Sequence, residues 1–510
     1  MDENDFSEDQ GSVCINDPEK LLRDRALVIV SNRGPFGFTN QEDDSVQVHR
    51  SGGGLVTALL GLTQKIDISW IASATNDLEK EWPGGEIQLD GSNRAVNLDM
   101  IPFTAEEYDG YYNVISNPLL WFLQHSMWDF KSNPTITRDT WHAWDHGYTV
   151  VNRKFAQAVA DRILANPTHT LVMMQDYHLY LAPRMLRALL GRRRRQVNAA
   201  LTHFIHIPWP GPEELRMLPP AMRRAILDGL TGSDMVGLQT RDDALNFLRS
   251  VESHLPGANV NYRRGRIWYR NRATLVRDFP ISIDVTELKN LAESEDTIEM
   301  RKKFEEEFHG MQLILRVDRT EPSKNIVRGF KAFGEMLEMY PEHIGKVKFL
   351  ALLVPSRLDV EEYRTYHDEF MAAAGWVNSK YGTSDWEPVR ILFGDDYTRA
   401  VAALQTYDVL LVNSIADGMN LVAKEGAVVN RKNGVLVLSE RTGARQQLEP
   451  GALVISPFDV LATAAAMHQA LVMSEADRET RACRLKWSVE ENDIRTWFCG
   501  QINEINQLGL

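Results

Sequence analysis

Apolar residues along this chain keep two rhythms that alternate through most of its length. Short unbroken runs predict strands at Ala26–Val30, Leu171–Met174, Ala200–Ile205, Leu313–Val317, Phe349–Val354, Asp408–Val412 and Val435–Leu438. Strands that read apolar throughout are buried on both faces, the environment of a parallel sheet. The segments between them keep a helical period. Ile326, Phe330, Phe333 and Leu337 recur at i, i+4, i+7 and i+11, and Phe155, Val159 and Ile163 recur at four-residue steps. Each set lines one face of a helix. Strands separated by helices predict an α/β protein of parallel, doubly wound sheets.

A chain of 510 residues exceeds what one hydrophobic core normally serves. A boundary is expected near Pro280–Asp284, after the polar and irregular stretch Gly257–Arg277. The first domain then spans residues 22–280 and the second 281–477, each Rossmann-like. A last helix within 478–510 is free to pack back on the first domain. Residues 1–21 read as an acidic, disordered tail, with Asp2, Glu3, Asp5, Glu8, Asp9, Asp17 and Glu19 against a single Lys20. Arg192–Arg195 reads as a solvated corner, and no internal repeat is present. Two such domains are expected to face each other across a cleft at the carboxyl ends of their strands.

Composition narrows the partners. With 44% hydrophobic and 25% charged residues the chain is an ordinary globular one. Its formal charge of -14 argues against nucleic acid, which needs a basic face. Cys14, Cys483 and Cys499 have no metal-ligand spacing and make no disulfide framework, which points to a reducing compartment. The longest apolar runs are far too short for a membrane span. The acidic start is the reverse of a signal peptide. The expectation is a cytoplasmic protein with neither membrane nor nucleic acid as partner.

Chemistry is therefore sought just after the strands. Asp408–Val412 leads into Asn413-Ser-Ile-Ala-Asp417-Gly-Met-Asn-Leu421-Val-Ala-Lys-Glu425. Gly418 permits a tight turn, and the amides from Gly418 through Met419, Asn420 and Leu421 to Val422 open a helix. Such amides suit a phosphate or a sugar hydroxyl. Glu425 shares a helix face with Leu421 and is placed to accept from a ribose diol. On pattern alone Asp417 and Asn420 serve equally well as helix caps. Arg319 and Lys324 follow the strand Leu313–Val317 and offer two cations for a leaving pyrophosphate. No spaced Asp-x-Asp pair follows a strand; Asp43-Asp44 and Asp395-Asp396 are adjacent, so no metal site is expected.

In the first domain Arg33 follows the first strand, and Gly52-Gly53-Gly54 precedes an apolar helix. Asp176 and His206 leave two neighbouring strands in Gln175-Asp-Tyr-His178 and His206-Ile-Pro-Trp-Pro210, a pair suited to sugar hydroxyls or acid–base work. Tyr112 and Trp121 flank Asn117-Pro118; aromatics in such a stretch are usually core.

Taken in order, these runs resemble the trehalose-6-phosphate synthase family (glycosyltransferase family 20), retaining glycosyltransferases of GT-B fold, from about Leu27 to Phe498. The resemblance is carried by Asp417–Glu425, Arg319 with Lys324, Asp176-Tyr-His, His206-Ile-Pro-Trp-Pro and Pro355-Ser-Arg357. It implies that Arg319 and Lys324, with the amides of Gly54, Leu421 and Val422, bind the donor pyrophosphate. Glu425 would hold the nucleotide ribose, and Asp417, the Gly418–Asn420 backbone and His206 the donor sugar. Arg33, Tyr112, Trp121 and Arg357 would grip the acceptor phosphate, with Asp176 on the acceptor sugar.

The implied reaction moves glucose from UDP- or GDP-glucose to glucose 6-phosphate with retention and no cofactor or metal. A homo-oligomer would be in keeping with the family. Two places depart from it or stay silent. Trp70-Ile-Ala-Ser-Ala74 replaces a Trp-Ser-Gly, and Phe393-Gly-Asp-Asp-Tyr397 does not name the base. The alternatives are a pseudo-glycosyltransferase of the validoxylamine type, transfer to another sugar or polyol phosphate, and an inactive sugar-phosphate-sensing subunit.

Overall fold

The computed structural model describes residues 17–22, 25–40, 46–50, 68–88, 95–129, 131–165, 169–191, 199–356 and 361–509. Gly52–Gly54, Arg357, Arg192–Arg195, Asp43-Asp44 and the acidic residues before Asp17 lie outside them. The chain divides into two units, one of residues 1–281 with 494–510, the other of 282–493.

The first unit contains β1 (Ala26–Val30), β2 (Phe36–Asn40), β3 (Val46–Arg50), β4 (Ile68–Ser73), β5 (Gly85–Gln88), β6 (Ala95–Ile101), β7 (Thr170–Gln175), β8 (Ala199–Phe204), β9 (Met235–Leu238), β10 (Asn259–Asn261), β11 (Arg266–Tyr269) and β12 (Arg272–Asp278). Ten of these form one sheet in the order β10-β11-β12-β9-β8-β7-β1-β4-β6-β5. From β1 the chain builds outward through β4 and β6, then returns to add β7, β8 and β9 on the other side. All the pairs among these six strands are parallel. The order reverses between β1 and β7, a switch point where loops diverge and leave room for a ligand.

Three expectations are corrected here. The stretch Gly257–Arg277 is not irregular: its polar residues sit on β10, β11 and β12, which pair antiparallel at the sheet's edge, with β12 parallel to β9. Strands with so few buried residues as β10 and β11 offer no apolar run to find. Residues 18–21 are not tail, because Pro18–Leu22 is a short helix with Leu21 and Leu22 buried. The segment after residue 477 is not one helix: Glu475–Glu491 stays in the second unit, and Ile494–Gln507 belongs to the first.

The second unit holds β13 (Gln312–Arg319), β14 (Val347–Val354), β15 (Val389–Phe393), β16 (Val409–Val412), β17 (Val435–Ser439) and β18 (Leu453–Ile455). They form one parallel sheet in the order β15-β14-β13-β16-β17-β18, with its switch point between β13 and β16. The helix Ile326–Met339 lays Ile326, Phe330, Phe333 and Leu337 into its core, all fully buried against Phe349, Val409 and Met467 among others. Each such side chain contributes about 1.5–3 kcal/mol of burial. The helical period read from the sequence is thus the packing face.

Candidate active site

In the second unit the expected residues lie on the loops that leave β13, β16 and β17. β13 extends to Arg319, and a single tight turn, Pro322–Lys324, precedes the Ile326–Met339 helix. Arg319 therefore ends the strand that it was expected to follow, and only Lys324 lies beyond it. Arg319 is half-exposed and pairs with the buried Glu321 carboxylate at 3.0 Å. Lys324 is nearly buried, with Nζ 2.5 Å from Asp417 Oδ2. Burial opposes its charge, but Asp417, then Asp318 and Glu321, outweigh burial and raise its pKa.

Asp417 accepts two further bonds, from Ser414 Oγ at 3.3 Å and Asn420 Nδ2 at 3.1 Å. Asn420 caps the helix Leu421–Val429 through the Ala423 amide. The two readings of this run thus divide: Asn420 is the cap, and Asp417 faces the cation. The helix's first amides have no intrahelical acceptor by construction, so Leu421 and Val422 present donors beside Asn420.

Backbone bonds hold these loops in register. Ile415 N–H donates to the Ser323 carbonyl (2.8 Å), Asp417 N–H to Arg441 (3.2 Å) and Ala444 N–H to Met419 (2.9 Å). Asn325 Nδ2 donates to the carbonyls of Asn413 (2.9 Å) and Pro457 (2.7 Å). Below them Arg316, fully buried on β13, bonds Asp318 through Nε and Nη2 and donates from Nη2 to the Lys324 carbonyl at 2.8 Å. Asn325 and Asn420 both hold left-handed backbone, with φ of 59° and 73°. Asparagine tolerates that region, and such residues gather where surrounding structure fixes a loop for use.

Glu425 rides the same short helix and accepts the Tyr397 hydroxyl at 3.1 Å. Burial pushes its carboxyl up to about 7, with the Tyr397 bond pulling the other way. Beside it the buried Lys424 ammonium is pulled down to about 7 by burial.

In the first unit the switch-point strands β1 and β7 place Arg33 and Asp176 at adjacent strand ends. Arg33 is exposed, and its carbonyl accepts the Ser31 hydroxyl (2.6 Å), which in turn accepts Trp70 Nε1 (2.8 Å). Trp70 is thus a core residue that braces the β1 loop, and Ser73 Oγ braces it again through Asn32 (2.9 Å).

Asp176 has φ 71° and ψ 176°, a conformation costly for any residue but glycine. Four bonds hold it there. Its N–H donates to Phe204 (2.7 Å), its carbonyl accepts His203 Nε2 (3.0 Å), its carboxylate accepts the His206 N–H (3.1 Å), and Leu179 N–H returns to its carbonyl (3.2 Å). His206 Nε2 lies 2.9 Å from Gln175 Oε1 and donates to it. Burial holds the His206 imidazole down to about 3, so at neutral pH it is uncharged. Uncharged and fixed by Gln175, the ring offers a dipole of set direction.

Tyr112 and Trp121 share a segment, Asp109–Trp121, wound in wide i→i+5 turns. At about 4.4 residues per such turn nine residues make about two turns, so both side chains leave one face; an α-helix would set them opposite. Tyr112 stacks between Tyr108 and His178 (5.3 and 5.9 Å). Trp121 is 3% exposed, on Phe122 and His125, so its ring is core-packed.

Sequence reasoning did not single out Tyr397, Arg316, Asn325 or Gln175 as site residues. Only Arg316 carried a signal, a charged residue inside an otherwise apolar strand.

Two α/β units, each with its polar cluster at the switch point of its parallel strands, are the arrangement of the GT-B nucleotide-sugar glycosyltransferases, the class to which the family match assigns this chain. The sequence model of glycosyltransferase family 20 matches residues 25–507, and the chain belongs to that family. It is 32% identical to an alpha,alpha-trehalose-phosphate synthase [UDP-forming] of Schizosaccharomyces pombe, over 94% of this chain and 91% of that one. An E. coli structure bound with UDP-2-fluoro glucose is similar at TM-score 0.79 and 29% identity, over 94% of this chain and 98% of that one. A Burkholderia xenovorans alpha,alpha-trehalose-phosphate synthase (UDP-forming) in complex with glucose-6-phosphate gives TM-score 0.79 at 26% identity, over 94% and 100%.

Proposed function

We propose that this chain transfers glucose, with retention, from a nucleoside-diphosphate glucose to glucose 6-phosphate, forming trehalose 6-phosphate. The observation that carries the reading is the Lys324–Asp417 pair, held at 2.5 Å by loops stitched across the switch point of the second unit. A pyrophosphate arriving at the amides of Leu421 and Val422 meets Lys324 and Arg319. Lys324 turns from Asp417 toward it, and Asp417 is released to accept from a donor-sugar hydroxyl. Glu425 takes the ribose. Fixed cations supply the charge the leaving group needs, so a divalent metal has no task on this reading.

In the first unit Arg33 and Tyr112 take the acceptor phosphate, Asp176 an acceptor hydroxyl, and the neutral His206 a donor-sugar oxygen. Retention follows if the acceptor hydroxyl attacks from the face the pyrophosphate leaves and the departing phosphate oxygen takes its proton. The protein's contribution is then position and charge, with no nucleophile of its own.

The test gives purified protein UDP-, GDP- and ADP-glucose separately, with glucose 6-phosphate and a chelator, and follows nucleoside diphosphate release. Turnover with at least one donor is expected. No turnover with any would sink the reading, and turnover with a cyclitol donor alone would move the chain to the pseudo-glycosyltransferases.

A further inference from the structure

At the opposite end of the second unit's sheet, before β14, stands a group of side chains that the transfer does not use. The helix Ile326–Met339 ends at Tyr340, and one tight turn, Pro341–His343, leads toward β14. His343 is 5% exposed, and its Nε2 lies 2.9 Å from Nδ1 of His468 on the helix Val460–Val472. Glu342 adds an exposed carboxylate, and one donor atom from each of the three falls within 4.8 Å of the others. Tyr340 stacks flat on His468 at 3.6 Å between ring centres, fixing that imidazole's plane.

Two imidazole nitrogens in contact share one proton, and each ring carries its other nitrogen elsewhere. Moving the proton to His343 Nδ1, with His468 protonated on Nε2, frees both facing lone pairs at no cost in charge. Donors around a tetrahedral zinc stand about 3.3 Å apart at bond lengths near 2.0–2.1 Å. The histidine pair needs to open by a few tenths of an ångström, and the exposed Glu342 is free to swing in.

We propose that Glu342, His343 and His468 form a three-ligand site for one divalent transition cation of the zinc type, completed by water. Two imidazoles and one carboxylate select such an ion over magnesium or calcium, which require oxygen donors. Its role is structural. Asn325, at the start of the Ile326–Met339 helix, already bonds the Pro457 carbonyl just before the Val460–Val472 helix. The cation ties the same two helices at their far ends and so stiffens the segment that carries Lys324.

The full chain, stripped by chelator and dialysed, is titrated with Co²⁺ and Zn²⁺. One equivalent of Co²⁺ giving the intense visible bands of four- or five-coordination is expected, displaced by Zn²⁺ and not by excess Mg²⁺. Zn²⁺ should raise the thermal midpoint. His468→Gln and Glu342→Gln should each weaken binding by at least about tenfold. Glu342 is exposed, so its variant tests the site even if the histidine variant folds poorly. The proposal is overturned by absence of saturable uptake at micromolar metal, or by unchanged affinity in Glu342→Gln. Loss of binding in His142→Gln would also overturn it, by placing the metal at the stacked His142–His146 pair.

Discussion

Replacing Asp417 by Asn keeps the shape of the Lys324–Asp417 contact and removes one charge. The atoms are 2.5 Å apart, and the side chains are 12% and 14% exposed. At an effective dielectric of about 20 the bare attraction is about 7 kcal/mol, an upper bound that desolvation reduces. In the donor complex what the variant loses is the charge that accepts from the donor-sugar hydroxyl, and a hydrogen bond to a charged group nets about 1.5–3 kcal/mol. That range corresponds to roughly 10- to 150-fold in kcat/KM for the donor. The pH dependence is more specific. Burial is already the largest single influence on Lys324, and with Asp417 gone only Asp318 and Glu321 are left to oppose it, so its pKa falls.

The sign follows from that. In the wild type the raised pKa stabilises the fold below lysine's ordinary value of 10.5, and the effect is lost as pH climbs through the raised one. The variant should lose activity at a lower pH on the alkaline side than the wild type does. Steady-state kinetics across pH, with thermal melts at each pH, decide it. A kcat/KM within twofold of wild type and no shift in the alkaline limb would refute the pairing as an organising contact.

Three further outcomes are expected. Glu425 titrates near 7, so donor KM should rise as pH falls below about 7, and Glu425→Gln should abolish that dependence; Tyr397→Phe, which removes the bond that lowers the carboxyl, should move the acid limb to higher pH. Arg316→Met leaves Asp318 buried without its guanidinium partner and should cost about 3–5 kcal/mol in a denaturant melt. Adding Asp318→Leu should recover much of that stability without restoring kcat, because the Lys324 carbonyl still lacks its donor. Phe333→Ala, inside the second core, should cost about 3–5 kcal/mol while donor KM stays put, checked by melts and kinetics together.

Strands buried on both faces were plain in the sequence because nothing but apolar residues fits there; β1, β14, β16 and β17 all lie within a residue or two of expectation. The edge strand β10 and its neighbour β11 were not, since they bury few residues and their composition reads as loop. The wide turns of Asp109–Trp121 were equally hidden, because the segment stood out only as aromatics flanking Asn117-Pro118 and not by any period. At the site, strand-end chemistry was legible as residue type and order. Partners were not: Tyr397 stands 28 positions from Glu425 and Lys324 stands 93 from Asp417, and no local pattern encodes such a meeting.

The division of the chain also bears on its birth. Ile494–Gln507 closes a unit begun hundreds of residues earlier. Asn506 bonds the Leu21 carbonyl at 3.2 Å, Glu504 pairs with Arg277 at 3.2 Å, and Trp497 packs edge-on against Phe204, two residues before His206. On the ribosome, the wall beneath His206 stays open while the whole second unit is made. The first unit to emerge is thus the last to be finished, and a nascent chain stalled before Trp497 would hold an intact donor run in its second unit and an unbacked histidine in its first. Chaperones that recognise bare apolar surface would meet this protein at Phe204.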